Sequence, residues 1–129
     1  MRPLLDTHIF LWFISGDECL SDKYRQEISN LDNEVFVSVI SIWECTIKYQ
    51  LGKLPFPQSP EIYLPEQRTK HSFDSLTIDE NTIAQLPKLP SIHRDPFDRL
   101  LMCQALENDL FMVTEDKAVL AYSMVNFLS

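Results

Sequence analysis

Short apolar runs alternate with longer stretches of helical periodicity from one end of the chain to the other. Pro3-Leu4-Leu5 reads as a buried strand ending at Asp6, and Ile9 to Ile14 as a short helix packed under the sheet. Ser21 is a good N-cap for a helix to Leu31, on which Tyr24, Ile28 and Leu31 share one face. Val35 to Val39 is β-branched and aromatic, a strand by propensity. The next helix is expected from Ser41 to Leu51, with Gly52 as its C′ residue. Pro55, Pro57, Pro60 and Pro65 then mark a loop and a modest helix around residues 60–70. Ser75 to Ile78 reads as a strand, and Asp79 caps a helix reaching Leu86. Pro87 and Pro90 frame a loop to Asp95. Pro96 to Asn108 is the clearest helix, with Pro96 at N1 and Phe97, Leu100, Leu101 and Ala105 in a stripe. Phe111 to Thr114 is the next strand, Lys117 to Tyr122 a last helix, and Val125 to Leu128 a final strand.

This order predicts an α/β fold, a three-layer α/β/α sandwich with a mainly parallel central sheet. Without internal repeat or linker, residues 1–129 are expected to form a single domain. A content of 45% hydrophobic and 23% charged residues suits a sizeable core and excludes a low-complexity chain. No apolar run approaches the roughly 18 residues that a membrane helix needs, and no membrane association is expected. Asp6, Thr7 and His8 interrupt the apolar N-terminus, which therefore reads as strand and helix rather than signal peptide. Cys19, Cys45 and Cys103 are odd in number and widely spaced, as expected of buried, reduced thiols in a cytoplasmic protein. The net charge of −8 argues against a basic nucleic-acid-binding surface. It does not exclude a nuclease, because cations in an acid-lined pocket reverse the local sign.

Four acids, Asp6, Glu44, Asp98 and Asp116, are expected where a strand passes into a helix or in the first turn of a helix. In a parallel α/β sheet those junctions lie along one edge, so acids distant in sequence can meet there. Gathered carboxylates repel one another unless a divalent cation holds them, and hard cations prefer oxygen. Each acid also has a local reading. Asp6, Asp95 and Asp116 suit N-caps, and Ser41-Ile42-Trp43-Glu44 matches a capping box. Glu44 equally shares an apolar helix face with Ile40, Ile47 and Leu51, where a lone charge would be costly. Asp98, sharing a face with Met102 and Ala105, reads as directed inward.

The segments LLDTHIFLWF (4–13), SIWECTIKYQLGKL (41–54), HRDPFDRLLMCQA (93–105) and VTEDKAV (113–119) resemble the PIN domain, most closely VapC-like toxins of bacterial toxin–antitoxin modules. The resemblance spans essentially the whole chain. It implies an endoribonuclease dependent on Mg²⁺ or Mn²⁺, with Asp6, Glu44, Asp98 and Asp116 as catalytic metal ligands. Asp95 would be an accessory acid, and Thr7 and Thr114 hydroxyls beside the site. Glu115, an added acid before Asp116, departs from the pattern and reads as solvated. Metal-activated water would cleave RNA phosphodiester bonds. Arg99 and Lys48 could contact substrate phosphate or form internal salt bridges. His93 could serve as general acid–base or hydrogen-bond the preceding loop. An antitoxin protein and a second copy of the chain are the implied partners. Trp12, Trp43, Phe10 and Phe13 are expected in the core or the dimer contact, and Ile14, Leu20, Tyr24 and Ile28 in an apolar surface beyond the core.

The alternative is a catalytically inactive PIN-fold binding module, against which the complete acid set argues. A phosphoacceptor receiver domain would need an aspartate after a central strand, where Leu54-Pro55-Phe56-Pro57 stands, and an acidic pair after the first strand. A dehalogenase-like phosphatase would need an aspartate two residues after Asp6, where His8 stands.

Overall fold

The structure, a computed structural model, describes residues 1–129. Its elements are β1 (Pro3–Leu5), α1 (Thr7–Ser15), α2 (Asp22–Ser29), β2 (Phe36–Ser38), α3 (Val39–Gln50), α4 (Pro60–Lys70), β3 (Asp74–Leu76), α5 (Glu80–Ile83), α6 (Pro96–Asn108), β4 (Phe111–Val113) and α7 (Lys117–Leu120), with a 3₁₀ turn at Leu86–Lys88. The strands form one sheet in the order β3-β2-β1-β4, and every pair is parallel.

Side chains alternate across a strand, so each short strand feeds two cores. Leu4, Phe36 and Met112 pack on one side with Leu101, Met102 and Ala105 of α6 and with Val119 and Tyr122. Leu5, Val37 and Val113 pack on the other with Ile9 and Phe10 of α1, Ile28 of α2 and Leu64 of α4. α3 serves both sides, Ile40 lying in the first core and Cys45 in the second. The α/β/α sandwich expected from the sequence is the fold observed.

Several local expectations are corrected. α3 starts two residues early because Ser38, not Ser41, is its N-cap, the Ser38 hydroxyl accepting from the Ile40 N–H at 3.0 Å. The Ser41–Glu44 capping box therefore does not form. α2 ends at Ser29, and Leu31, in the following turn, is 96% exposed rather than on a buried face. α7 ends at Leu120 rather than Tyr122. The predicted final strand, Val125 to Leu128, is reduced to one parallel bridge between Met112 and Phe127. There the Met112 N–H donates to Asn126 O and its carbonyl accepts from Leu128 N–H, which leaves the tail covering the edge of β4. Leu20 and Ile28 are core residues, not surface. Of the aromatics expected in the core or the dimer contact, Phe10 is in the core and Trp43 is half exposed. Cys45 and Cys103 are buried but Cys19 is exposed. No helix is long and apolar enough to cross a membrane.

Candidate active site

Sheet order makes β1 a switch point. The chain leaves β1 to build β2 on one side and β4 on the other, and the crevice beyond such a point is where α/β sheets bind ligands. Leu5 pairs in register with Val113, so the next residues, Asp6 and Thr114, emerge side by side. Helices α1, α3, α6 and α7 begin near that edge, capped by Asp6, Ser38, Asp95 and Asp116. Helix N-termini carry partial positive charge, which favours carboxylates and other anions.

Asp6 is 5% exposed. One carboxylate oxygen accepts the Ile9 N–H at 2.8 Å, and the other accepts the Thr114 hydroxyl. The Thr114 hydroxyl also accepts the Asp116 N–H at 3.1 Å, joining the ends of β1 and β4. Burial pushes the Asp6 carboxyl up to about 6, outweighing the hydrogen bonds from Thr114 and Ile9, and the Asp98 charge adds to the rise. Asp6 is thus both the N-cap of α1 and a buried acid whose charged form is disfavoured.

Glu44 is 3% exposed in the middle of α3, and both of its oxygens are engaged. Oε1 lies 2.7 Å from the Thr7 hydroxyl, which itself lies 2.9 Å from the hydroxyl of buried Ser41. One proton per hydroxyl lets Thr7 donate to Glu44 and accept from Ser41. Oε2 accepts Lys48 Nζ at 2.6 Å. Burial opposes the Lys48 charge, but the Glu44 hydrogen bond and negative charge prevail and raise its pKa. Buried Thr7, Ser41 and Glu44 and part-exposed Lys48 form one hydrogen-bonded network.

Asp98 connects the site. Its Oδ2 lies 2.8 Å from His93 Nε2. Burial raises its pKa, the His93 hydrogen bond lowers it, and the charges of Asp95 and Glu44 raise it again. Asp95 spends one oxygen capping α6, accepting the N–H groups of Phe97 and Asp98 at 2.8 and 3.3 Å. Asp116 caps α7 through Ala118 N–H at 2.9 Å. Ligand atoms of His93, Asp98 and Asp116 all lie within 4.8 Å of one another. Asp6 and Glu44 stand outside that trio, Asp6 lining the adjoining cleft of about 340 Å³ with His8, Ile9, Trp12, Glu115 and Asp116.

Arg99 is committed within the fold, its Nη1 donating to the Pro90 and His93 carbonyls and to the Tyr122 hydroxyl. Ser41, His8 and Tyr122 stand in or beside the candidate site, yet the sequence marks none of them as a site residue. Only Ser41 carried a signal, being three residues before Glu44 on the same helix face. Tyr122 lies 29 positions from the histidine it holds, and nothing local announces it.

Two carboxylates and an imidazole with converging donors fit a divalent cation. Ligands of one ion stand at most twice the ion–ligand distance apart, about 4–5 Å. An acid edge at helix N-termini with such a set suits chemistry on a phosphate ester.

The family model for the PIN domain matches residues 4–123. The curated protein Ribonuclease VapC16 of Mycobacterium tuberculosis is 33% identical over 58 residues, covering 45% of this chain and 41% of that protein. The matched segment is thus less than half of that relative's length. Among solved structures, VapBC2 from Rickettsia felis bound to a DNA fragment from their promoter matches with a TM-score of 0.73 at 13% identity, over 99% of this chain and 98% of that one. DNA-bound VapBC from Salmonella typhimurium gives 0.69 at 17% identity over 99% and 97%. FitAcB from Neisseria gonorrhoeae gives 0.66 at 17% over 98% and 96%. At these identities the structures establish the fold.

Proposed function

The chain belongs to the PIN domain family, and on that footing we propose that it is an Mg²⁺- or Mn²⁺-dependent endoribonuclease, the toxin of a toxin–antitoxin pair. The observation that carries the reading is the arrival of Asp6, Asp98 and Asp116 from three separate junctions at the switch point of the sheet. The ribonuclease named among its relatives and the VapBC complexes among its structural neighbours support it. By the same analogy its partners are an RNA substrate, an antitoxin protein and a second copy of itself, and it acts in the cytoplasm.

Asp98 and Asp116, with His93 beside them, would hold the ion, and Asp6 faces it from the neighbouring strand end. When bound, the cation would supply Lewis-acid activation of water and of the phosphate ester. The chain's own groups do the rest. Thr114 fixes the Asp6 carboxylate against β4 by donating its hydroxyl proton. Thr7 and Lys48 hold Glu44 at a set position and neutralise one of the gathered charges. That leaves room for an anionic substrate near a cluster that would otherwise repel it. The N-termini of α1, α3 and α6 add positive potential where the phosphate must approach. Asp95, with one oxygen free of its cap, stands as an accessory acid, while Arg99 stabilises the loop before α6.

Purified protein incubated with a cellular RNA pool and Mg²⁺ is expected to cleave it, and EDTA to stop the cleavage. Asp98→Asn is expected to reduce cleavage to background with the fold intact by circular dichroism. Absence of EDTA-sensitive cleavage of any pool would leave the inactive binding module as the better reading.

A further inference from the structure

His93 occupies a position that neither helix capping nor the acid pattern explains. Its Nε2 lies 2.8 Å from Asp98 Oδ2, and a ring nitrogen lies within 4.8 Å of a carboxylate oxygen of Asp116. Its backbone is fastened on both sides. The His93 N–H donates to the Tyr122 hydroxyl at 2.7 Å, and its carbonyl accepts Arg99 Nη1 at 3.4 Å. Arg99 Nη1 also donates to the Tyr122 hydroxyl at 3.2 Å and to the Pro90 carbonyl at 3.0 Å. Tyr122 is fully buried, so its hydroxyl is fixed by the core around it. A loop histidine held by a buried tyrosine and a helix arginine is pre-positioned, as a ligand needs to be.

We propose that His93, with its ring proton on Nδ1 instead of in the Asp98 contact, ligates the cation through Nε2 together with Asp98 and Asp116, positioned by the Tyr122–Arg99 clamp, and that it biases the site toward Mn²⁺ over Mg²⁺. The inference rests on the metal-dependent reading above and adds to it the third donor and the choice of ion. Mg²⁺ takes oxygen ligands almost exclusively and gives up its water reluctantly. An imidazole nitrogen instead favours first-row transition ions, whose affinities for such sites rise along the series from Mn²⁺ to Cu²⁺. Tyr122 and Arg99 act through His93 and are positioning residues.

The test is Mn²⁺ binding to the whole protein, followed by the loss of the free-ion electron paramagnetic resonance signal and by pulsed detection of ¹⁴N coupling. The wild type is expected to bind Mn²⁺ with coupling from a coordinated imidazole, and Mg²⁺ is expected to compete weakly. His93→Gln, which keeps a donor for Asp98, is expected to lose the coupling and at least about tenfold in Mn²⁺ affinity, with little change toward Mg²⁺. His8→Gln, at the neighbouring cleft, is expected to keep the coupling. Tyr122→Phe is expected to weaken Mn²⁺ binding while the ¹⁴N signal persists. Bound Mn²⁺ without imidazole coupling, or unchanged affinity in His93→Gln, overturns the ligand assignment and leaves an oxygen-only site standing. No Mn²⁺ binding to the wild type overturns the assignment and the cation-dependent function together.

Discussion

Asp6 shows how one side chain carries opposing demands. Burial lifts its pKa from the ordinary 3.8 to about 6. The folded state therefore holds a proton over that window which the unfolded chain has already released. Stability of the metal-free protein should fall as pH rises through the window and stay low above it. The loss is on the order of 3 kcal/mol by pH 7. Asp6→Asn should remove it, raising the melting temperature in EDTA at pH 7 and flattening the profile between roughly pH 4 and 6. Thermal melts across that range measure both effects, and a variant less stable than wild type at pH 7 would contradict them. Thr114 is the complementary case, since its hydroxyl donates to Asp6 and accepts from Asp116 N–H. Thr114→Val leaves one Asp6 oxygen and the Asp116 N–H unpartnered, at an expected cost of about 1–3 kcal/mol in urea denaturation, and Thr114→Ser should recover most of it.

The elements were legible to different degrees. α6 has the boundaries its pattern predicts because Asp95 caps it, Pro96 suits N1, and Asn108 is followed by Asp109 at positive φ. β1 also agrees, bounded by Asp6 as cap of α1. The start of α3 was misplaced because Ser38 and Ser41 are both competent caps, and only the length of β2 in the sheet chooses between them. That choice makes Ser38→Ala the informative variant, with an expected loss of about 1 kcal/mol measured by urea denaturation. It also turns Glu44 from a capping residue into a buried acid that needs Thr7 and Lys48. The last strand failed for a different reason. Val125 to Leu128 has the apolar composition of a strand, but only Met112 offers it a backbone partner.

At the scale of the molecule, an excess of acid converges on one sheet edge, and a bound cation should be felt throughout the fold. Mg²⁺ or Mn²⁺ at about a hundredfold excess over Kd is expected to stabilise the protein by about 2.7 kcal/mol. Calorimetry should then show a rise in melting temperature on the order of 10 °C, reversed by EDTA. No shift with either ion would remove the cation site from the account. The sequence alone determined the layered α/β architecture, because the alternation of apolar runs with helical periodicity is a local property of the chain. It also marked the acids at strand–helix junctions. Only the tertiary structure decided which of them meet. Register sets Asp6 against Thr114, strand order brings β4 beside β1, and a buried tyrosine from the far end of the chain turns His93 toward Asp98. Pairings between residues so distant in sequence arise from how elements pack, and no local pattern encodes them.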